Sequence, residues 1–221
     1  MKENKTPQEL HALGRQYEKG QGVGKDMAMA LKYYREAAAA GLAAAQESLG
    51  RCYLMGKGVR KDYAKAAELF RQAADQGDAE ARYSMGWCCE NGFGVKRSLA
   101  AAAAWYRLAA DQGHAGAQYN LGVFYFEGRG LKRDDAEAIR LFQAAAEGGD
   151  ENAQYNLGRC YQQARIVQQD GGLAVKWLKA AAEQGHAEAR FRLGLCYAAG
   201  LGVPADDSAD VECYKKAAED D

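Results

Sequence analysis

The chain has 221 residues, enough for one or two ordinary domains with a substantial core. With 29 basic against 30 acidic side chains and a net charge of −1, no global field draws it to nucleic acid or to an anionic membrane, and no stretch reaches the length of a bilayer span. Only Pro7 and Pro204 interrupt it, alanine is abundant, and apolar residues recur at three- and four-residue spacing, so the expected class is all-α.

The N-terminal MKENKTPQEL lacks the apolar run of a signal peptide, from which a soluble, cytoplasmic protein is expected. From there the sequence repeats. Leu13-Gly14, Leu49-Gly50, Met85-Gly86, Leu121-Gly122, Leu157-Gly158 and Leu193-Gly194 recur at a constant period of 36 residues. The expected organisation is a single solenoid domain over 1–221, built of repeats 7–42, 43–78, 79–114, 115–150, 151–186 and 187–221.

Each repeat opens on a helix, A. An alanine (Ala45, Ala81, Ala117, Ala153, Ala189) precedes the leucine or methionine by one helical turn, and Tyr17, Tyr53, Cys89, Tyr125, Tyr161 or Tyr197 follows it by another. The three form one packing stripe, and the glycine beside them admits a close neighbour. Glycine pairs such as Gly20/Gly22, Gly56/Gly58 and Gly92/Gly94 then end the helix. The segment GKGVRKD at 56–62 resembles a phosphate cradle, with glycines followed by basic residues. It lacks the GxxxxGK[ST] spacing and a preceding strand, and its glycine pair recurs along the chain, so it reads as a turn between helices.

Asp26, Asp62, Ser98, Asp134, Asp170 or Asp206 opens the second helix, B, as a short side chain suited to capping. Helix B carries an alanine, a bulky pair (Tyr33-Tyr34, Leu69-Phe70, Trp105-Tyr106, Leu141-Phe142, Trp177-Leu178) and a double alanine, the last being Ala217-Ala218. Gly41, Gly77, Gly113, Gly149 or Gly185 closes it.

The pattern A-x-x-x-L-G-x-x-Y-x-x-G-x-G-V-x-x-D followed by A-x-x-x-a-a-x-x-A-A-x-x-G, with a bulky, stands almost intact at 45–77 and 117–149. It resembles the Sel-one-like repeats (SLR), relatives of the tetratricopeptide repeats, over residues 7–220. The resemblance implies a right-handed α/α superhelical solenoid of six 36-residue helix-turn-helix repeats, about twelve helices, with helix A on the concave face. The fifth repeat departs from the pattern: Ala164 and Ile166 stand where the others have glycine, so its helix A is expected to end differently.

A catalytic centre needs residues that break a repeat and converge, and none do. His114 and His186 occupy the helix-opening position of Asp78 and Asp150, and His11 has no evident acidic or cysteine partner, so the histidines read as structural and no metal or cofactor is expected. Cys52, Cys88, Cys160 and Cys196 share one repeat position, Cys89 replaces the tyrosine, and Cys213 stands in the last bulky pair. They read as small buried apolar residues. Some secreted SLR relatives pair cysteines between helices A and B, an arrangement for which Cys196 with Cys213 is the one within-repeat candidate here.

Function is therefore expected on the concave face. Counted from the helix-A glycine, the positions at −3, −2, +1 and +4 are groove positions by resemblance to tetratricopeptide repeats. They read Tyr83, Ser84, Trp87 and Glu90 in the third repeat and Tyr119, Asn120, Val123 and Phe126 in the fourth. The fifth gives Tyr155, Asn156, Arg159 and Gln162, the sixth Phe191, Arg192, Leu195 and Ala198. Rings offer rigid contact area, Asn120 and Asn156 can bond a peptide backbone, and Arg159 and Arg192 can grip a carboxylate. The opposing reading is that the aromatics at −3 pack between adjacent helices A. The first two repeats are more polar there, with His11, Arg15, Glu18, Glu47, Arg51 and Leu54, so specificity is expected in repeats three to six.

The functional expectation is a non-enzymatic scaffold that binds another protein or a peptide, with no nucleic acid, membrane or cofactor. Self-association through the terminal repeats is a further expectation. The alternative from another class is weak β-lactam binding or β-lactamase-like activity, suggested only by cysteine-rich relatives and opposed by the absent SxxK motif.

Overall fold

The computed structural model describes residues 5–164, 167–206, 208, 211–213 and 215. Among them are eleven α-helices and no strand, in two compact units, Met1–Gln112 and Gly113–Asp221. The first unit holds α1 (Pro7–Lys19), α2 (Met27–Ala39), α3 (Ala43–Met55), α4 (Tyr63–Asp75), α5 (Ala79–Asn91) and α6 (Leu99–Ala110). The second holds α7 (Ala115–Glu127), α8 (Asp135–Glu147), α9 (Glu151–Gln162), α10 (Gly171–Glu183) and α11 (Ala187–Ala199). Odd-numbered helices are the expected helices A, even-numbered ones the helices B. Most of the last helix B, including Ala217 and Ala218, lies outside the described residues, and so does Ile166.

The helices begin where the caps stand. Asp26 accepts from the backbone N–H groups of Ala28 and Met29, while Asp62, Ser98, Asp134 and Asp170 accept from Lys65, Ala101, Glu137 and Leu173. At the helix-A starts Asp78 and Asp150 accept from Ala81 and Ala153, and the Nδ1 atoms of His114 and His186 do the same for Ala117 and Ala189. Two of the three histidines are thus caps, satisfying an N–H that would otherwise be orphaned at a cost of about 1 kcal/mol.

They stop at the first glycine of each pair. Gly20, Gly56, Gly92, Gly128 and Gly200 are left-handed, with φ between 63° and 77°. In the fifth repeat helix A ends at Gln162 after 12 residues rather than 13, and Ala164, at the glycine's offset, takes φ 52°. The turn closes regardless, because the N–H of Asp170 donates to the carbonyl of Tyr161 at 3.2 Å, as that of Asp134 does to Tyr125 at 3.1 Å. Ala164 takes up the left-handed backbone that glycine carries in the other turns, at a cost in strain.

Helices A and B meet large against small. A Cβ on Gly14, Gly50, Gly86, Gly122 or Gly158 would stand 2.5–2.8 Å from the side chain of Tyr34, Phe70, Tyr106, Phe142 or Leu178. These bulky residues are almost completely buried, each worth about 2–3 kcal/mol of apolar transfer, and the glycine is what lets them lie flat on helix A. The second glycine of the pair has another duty: a Cβ on Gly94 would collide with the carbonyl of Tyr63, at the start of the preceding helix B.

None of the six cysteines is in a disulfide. Cys52, Cys88, Cys89, Cys160 and Cys196 are buried and Cys213 is half-buried, so Cys196 and Cys213 do not pair. Among the described residues no helix is long and apolar enough to cross a membrane, and no three His, Cys, Asp or Glu residues are grouped to hold a metal ion.

Candidate functional site

In the second unit the helix-A face is a lattice of bonded side chains. Asn156 Nδ2 on α9 donates to Tyr119 Oη on α7 at 3.1 Å, and Arg192 Nε on α11 donates to Tyr155 Oη on α9 at 3.3 Å. Both bonds join residues 37 apart, the −3 position of one repeat with the −2 position of the next. Asn156 Oδ1 accepts in turn from Arg159 Nη1 at 3.4 Å, and Arg192 Nη1 donates to Gln162 Oε1 at 3.1 Å. The Tyr155 ring stacks on His186 at 4.4 Å and lies beneath the guanidinium groups of Arg159 and Arg192.

Between α7 and α9 this lattice borders a pocket of about 320 Å³ lined by Tyr119, Val123, Phe126, Phe142, Asn156 and Arg159. Five of the residues expected from the sequence meet there. Burial pushes the Tyr119 phenol above its ordinary pKa, so it stays neutral, and its ring tilts against Phe142 at 5.9 Å. The Arg133 guanidinium covers the Phe126 ring at 5.6 Å. Arg159 Nε is buried without a hydrogen-bond partner. Asn120 stands outside this lining, and Phe191 and Leu195 on α11 are exposed large apolar side chains, at 51% and 40%.

In the first unit the expected site residues are held otherwise. Tyr83 tilts against the buried Tyr106, and Trp87 packs on Phe93 at 4.8 Å, which stacks on Tyr63 at 4.6 Å. Trp87 therefore belongs to an aromatic cluster at the α5–α6 turn. The +4 position is tied to helix B: Tyr34 Oη donates to Glu18 Oε2 and Tyr106 Oη to Glu90 Oε2, both at 2.7 Å.

The larger cavity, about 1080 Å³, also lies in this unit, where the sequence reading expected the less specific end. His11, for which no acidic or cysteine partner was evident, has its Nε2 3.0 Å from Ser48 Oγ, again across 37 residues. Ser48 in turn donates to Glu47 Oε2 at 3.3 Å. The carboxylate meets the serine rather than the imidazole, the opposite of the order in which an acid orients a histidine to activate a serine. Glu47 is 6% exposed, and burial raises its carboxyl to about 7, opposed by Arg51 and reinforced by Glu80 and Asp78. Burial likewise lowers the His11 imidazole, with Arg15 and Arg51 acting in the same direction.

Eleven helices in a constant two-helix repeat, all but α3 opened by a side-chain cap, with side-chain bonds joining α1 to α3, α7 to α9 and α9 to α11, define an α/α repeat protein of the solenoid class. The chain belongs to the Sel1 repeat family: the family model matches residues 10–42, 43–78, 79–114, 115–150, 152–186 and 187–221. Sel1 repeat proteins are generally protein-interaction scaffolds and typically non-catalytic. A Sel1 repeat protein from Oxalobacter formigenes is 38% identical with a TM-score of 0.92, over 98% of this chain and 89% of that one. The protein c5321, a protective antigen present in uropathogenic Escherichia coli strains and displaying an SLR fold, is 37% identical with a TM-score of 0.85 over 96% of this chain. The alignment spans about half of c5321, 46% of its length. The immunity protein Pa5087 from Pseudomonas aeruginosa, at 20% identity and a TM-score of 0.62 over 98% of this chain and 84% of its own, shares the fold alone. No curated protein matches the chain in sequence.

Proposed function

We propose that the helix-A face of repeats four to six binds an extended peptide segment of another protein. The observation that carries this is the Arg159 Nε, buried and without a hydrogen-bond partner in the pocket it shares with Tyr119, Val123, Phe126 and Asn156. A buried guanidinium N–H left unmet costs free energy that an incoming oxygen recovers, and a peptide carboxylate or carbonyl supplies that oxygen. Val123 and Phe126 offer apolar contact beside it, and Asn120, on the same helix, carries both a donor and an acceptor for a peptide backbone. Phe191 and Leu195 add exposed apolar surface on α11. Tyr83 and Trp87, packed on Tyr106 and Phe93 in the first unit, lie outside this proposal.

A scaffold role needs no chemistry of its own, in keeping with the family. The β-lactam alternative gains no support: no cysteine is in a disulfide, and burial pushes the Cys52 and Cys88 thiols up to about 11 and about 12, away from a reactive thiolate.

The test is peptide display selected on the wild type and counter-screened on a Phe126→Ala/Arg159→Ala variant that keeps its helicity. Peptides pairing an acidic residue with an apolar neighbour, retained by the wild type and lost by the variant, are expected. Equal retention by both proteins sinks the assignment.

A further inference from the structure

Glu47 sits on α3 against the large cavity of the first unit, 6% exposed, with its two oxygens unequally served. Oε2 accepts from Ser48 Oγ. Oε1 is buried and accepts no hydrogen bond, although Arg51 Nη1 lies 3.4 Å away. The Arg51 side chain is 46% exposed, so the charge nearest Glu47 is a hydrated one that leaves the oxygen unsatisfied. A buried carboxylate in that position costs several kcal/mol unless a charged donor reaches it.

The surroundings decide the sign of the missing group. Glu80 and Asp78, at the start of α5, each disfavour a charge on Glu47, so three carboxyls face one region of the cavity. The basic residues of the lining, Arg15, Lys19, Lys25, Arg51 and Lys57, are exposed, and Lys57 already has Glu18 at 3.8 Å. The unmet demand is for a cation that donates.

We propose that this cavity is a binding site for a primary ammonium group, with Glu47 Oε1 as its acceptor. An ammonium is compact, has three donors and no acceptor, and can satisfy a single oxygen. A guanidinium makes its best contact as a fork on both oxygens of one carboxylate, and here Ser48 already holds Oε2. Selectivity for amine over guanidine follows from that half-occupied carboxylate. The site is independent of the peptide reading of repeats four to six, since every group in it lies in the first unit.

Ammonium binding ionises Glu47, so affinity rises with pH. The titratable and charged groups around the cavity are His11, Arg15, Glu18 and Lys19 from α1, Lys25 before α2, Arg51 from the helix of Glu47, Lys57 after it, and Asp78 and Glu80 from α5 and its cap. His11 acts in the same direction, because its protonation adds a like charge that repels the ligand.

The experiment is an NMR titration of the whole chain, following the backbone amides of His11, Ser48 and Arg51. The probes are acetyl-Gly-Lys-Gly-amide, its norleucine and arginine counterparts, and 1,4-diaminobutane. Saturable shifts are expected with the lysine peptide, weaker by about tenfold for arginine and absent for norleucine. Tighter binding of the peptide than of the diamine assigns the ammonium to a protein side chain, and the reverse assigns it to a free amine. Affinity for the lysine peptide is expected to rise about thirtyfold from about pH 5.5 to about pH 8 in the wild type and in a His11→Gln variant. Glu47→Gln, isosteric with the protonated acid, is expected to remain folded and to lose both the binding and its pH dependence. Equal shifts from norleucine, no shifts from lysine, or lysine binding unchanged in Glu47→Gln would each overturn the proposal.

Discussion

Asn156 Nδ2 donates to Tyr119 Oη at 3.1 Å across 37 residues, so two side chains expected to face a ligand face each other. The same step joins Arg192 to Tyr155, and His11 to Ser48. In the second unit the helix-A face is thus stitched from one repeat to the next, which holds Arg159, itself bonded to Asn156, in a fixed position in its pocket. Tyr119→Phe removes the acceptor and leaves a half-buried amide donor unmet, and is expected to cost about 1 kcal/mol. Urea denaturation of Tyr119→Phe, Asn156→Ala and the double variant tests it. A coupling energy of about 0.5–1 kcal/mol is expected, and additive single effects would mean the bond contributes nothing.

Ala164 holds φ 52° where the other turns of its kind use glycine. A left-handed backbone costs an L-residue about 1–2 kcal/mol, and glycine gives part of that back through the entropy of the unfolded chain. Ala164→Gly is therefore expected to stabilise the protein by about 0.5–1 kcal/mol. The urea midpoint should rise at constant slope. A fall would mean that Ala164 makes contacts worth more than its strain.

Gly86→Ala is the opposite case. Gly86 is helical, so its backbone accepts alanine readily, but the new Cβ would stand 2.5 Å from the Tyr106 ring, which is fully buried and tied through its hydroxyl to Glu90. The ring has no room to retreat, and a loss of about 1–3 kcal/mol is expected from overpacking. Thermal unfolding should show the drop, together with a weakened near-ultraviolet tyrosine signal.

The elements of the fold were legible because each is written by local chemistry repeated at a fixed period. The Leu-Gly pairs, the capping Asp and Ser residues and the paired glycines each satisfy a demand of their own helix or turn. Repeat position even revealed His114 and His186 as helix-opening residues. The lattice was harder to read because it depends on which side chains face across neighbouring helices A. Trp87 stood out as a large apolar side chain at a groove position, but its contact with Phe93 depends on how the glycine turn folds back. One signal was available and unused. Tyr34 with Glu18, and Tyr106 with Glu90, recur as polar pairs in the first and third repeats, where the second and fourth have Phe70 with Leu54 and Phe142 with Phe126. That covariation marks the +4 position as a partner of helix B.

Glu47 gives a prediction for stability against pH. Burial raises its carboxyl from the ordinary 4.5 to about 7, so the folded chain holds this proton more tightly than the unfolded chain. The stability that the protonated form contributes is fully present below pH 4.5 and is lost as pH rises through 7, at a cost of up to about 3 kcal/mol. His11 works in the other sense: its imidazole is lowered by burial, and its contribution is lost as pH falls. The wild-type profile therefore mixes the two, and the comparison with Glu47→Gln separates them. At about pH 4 the two proteins should unfold at similar urea concentrations, and at about pH 8 the variant should be more stable by up to about 3 kcal/mol. His11 and the cations around it are unchanged in that comparison, so a constant difference between the curves would mean that Glu47 ionises at an ordinary pH in the folded chain.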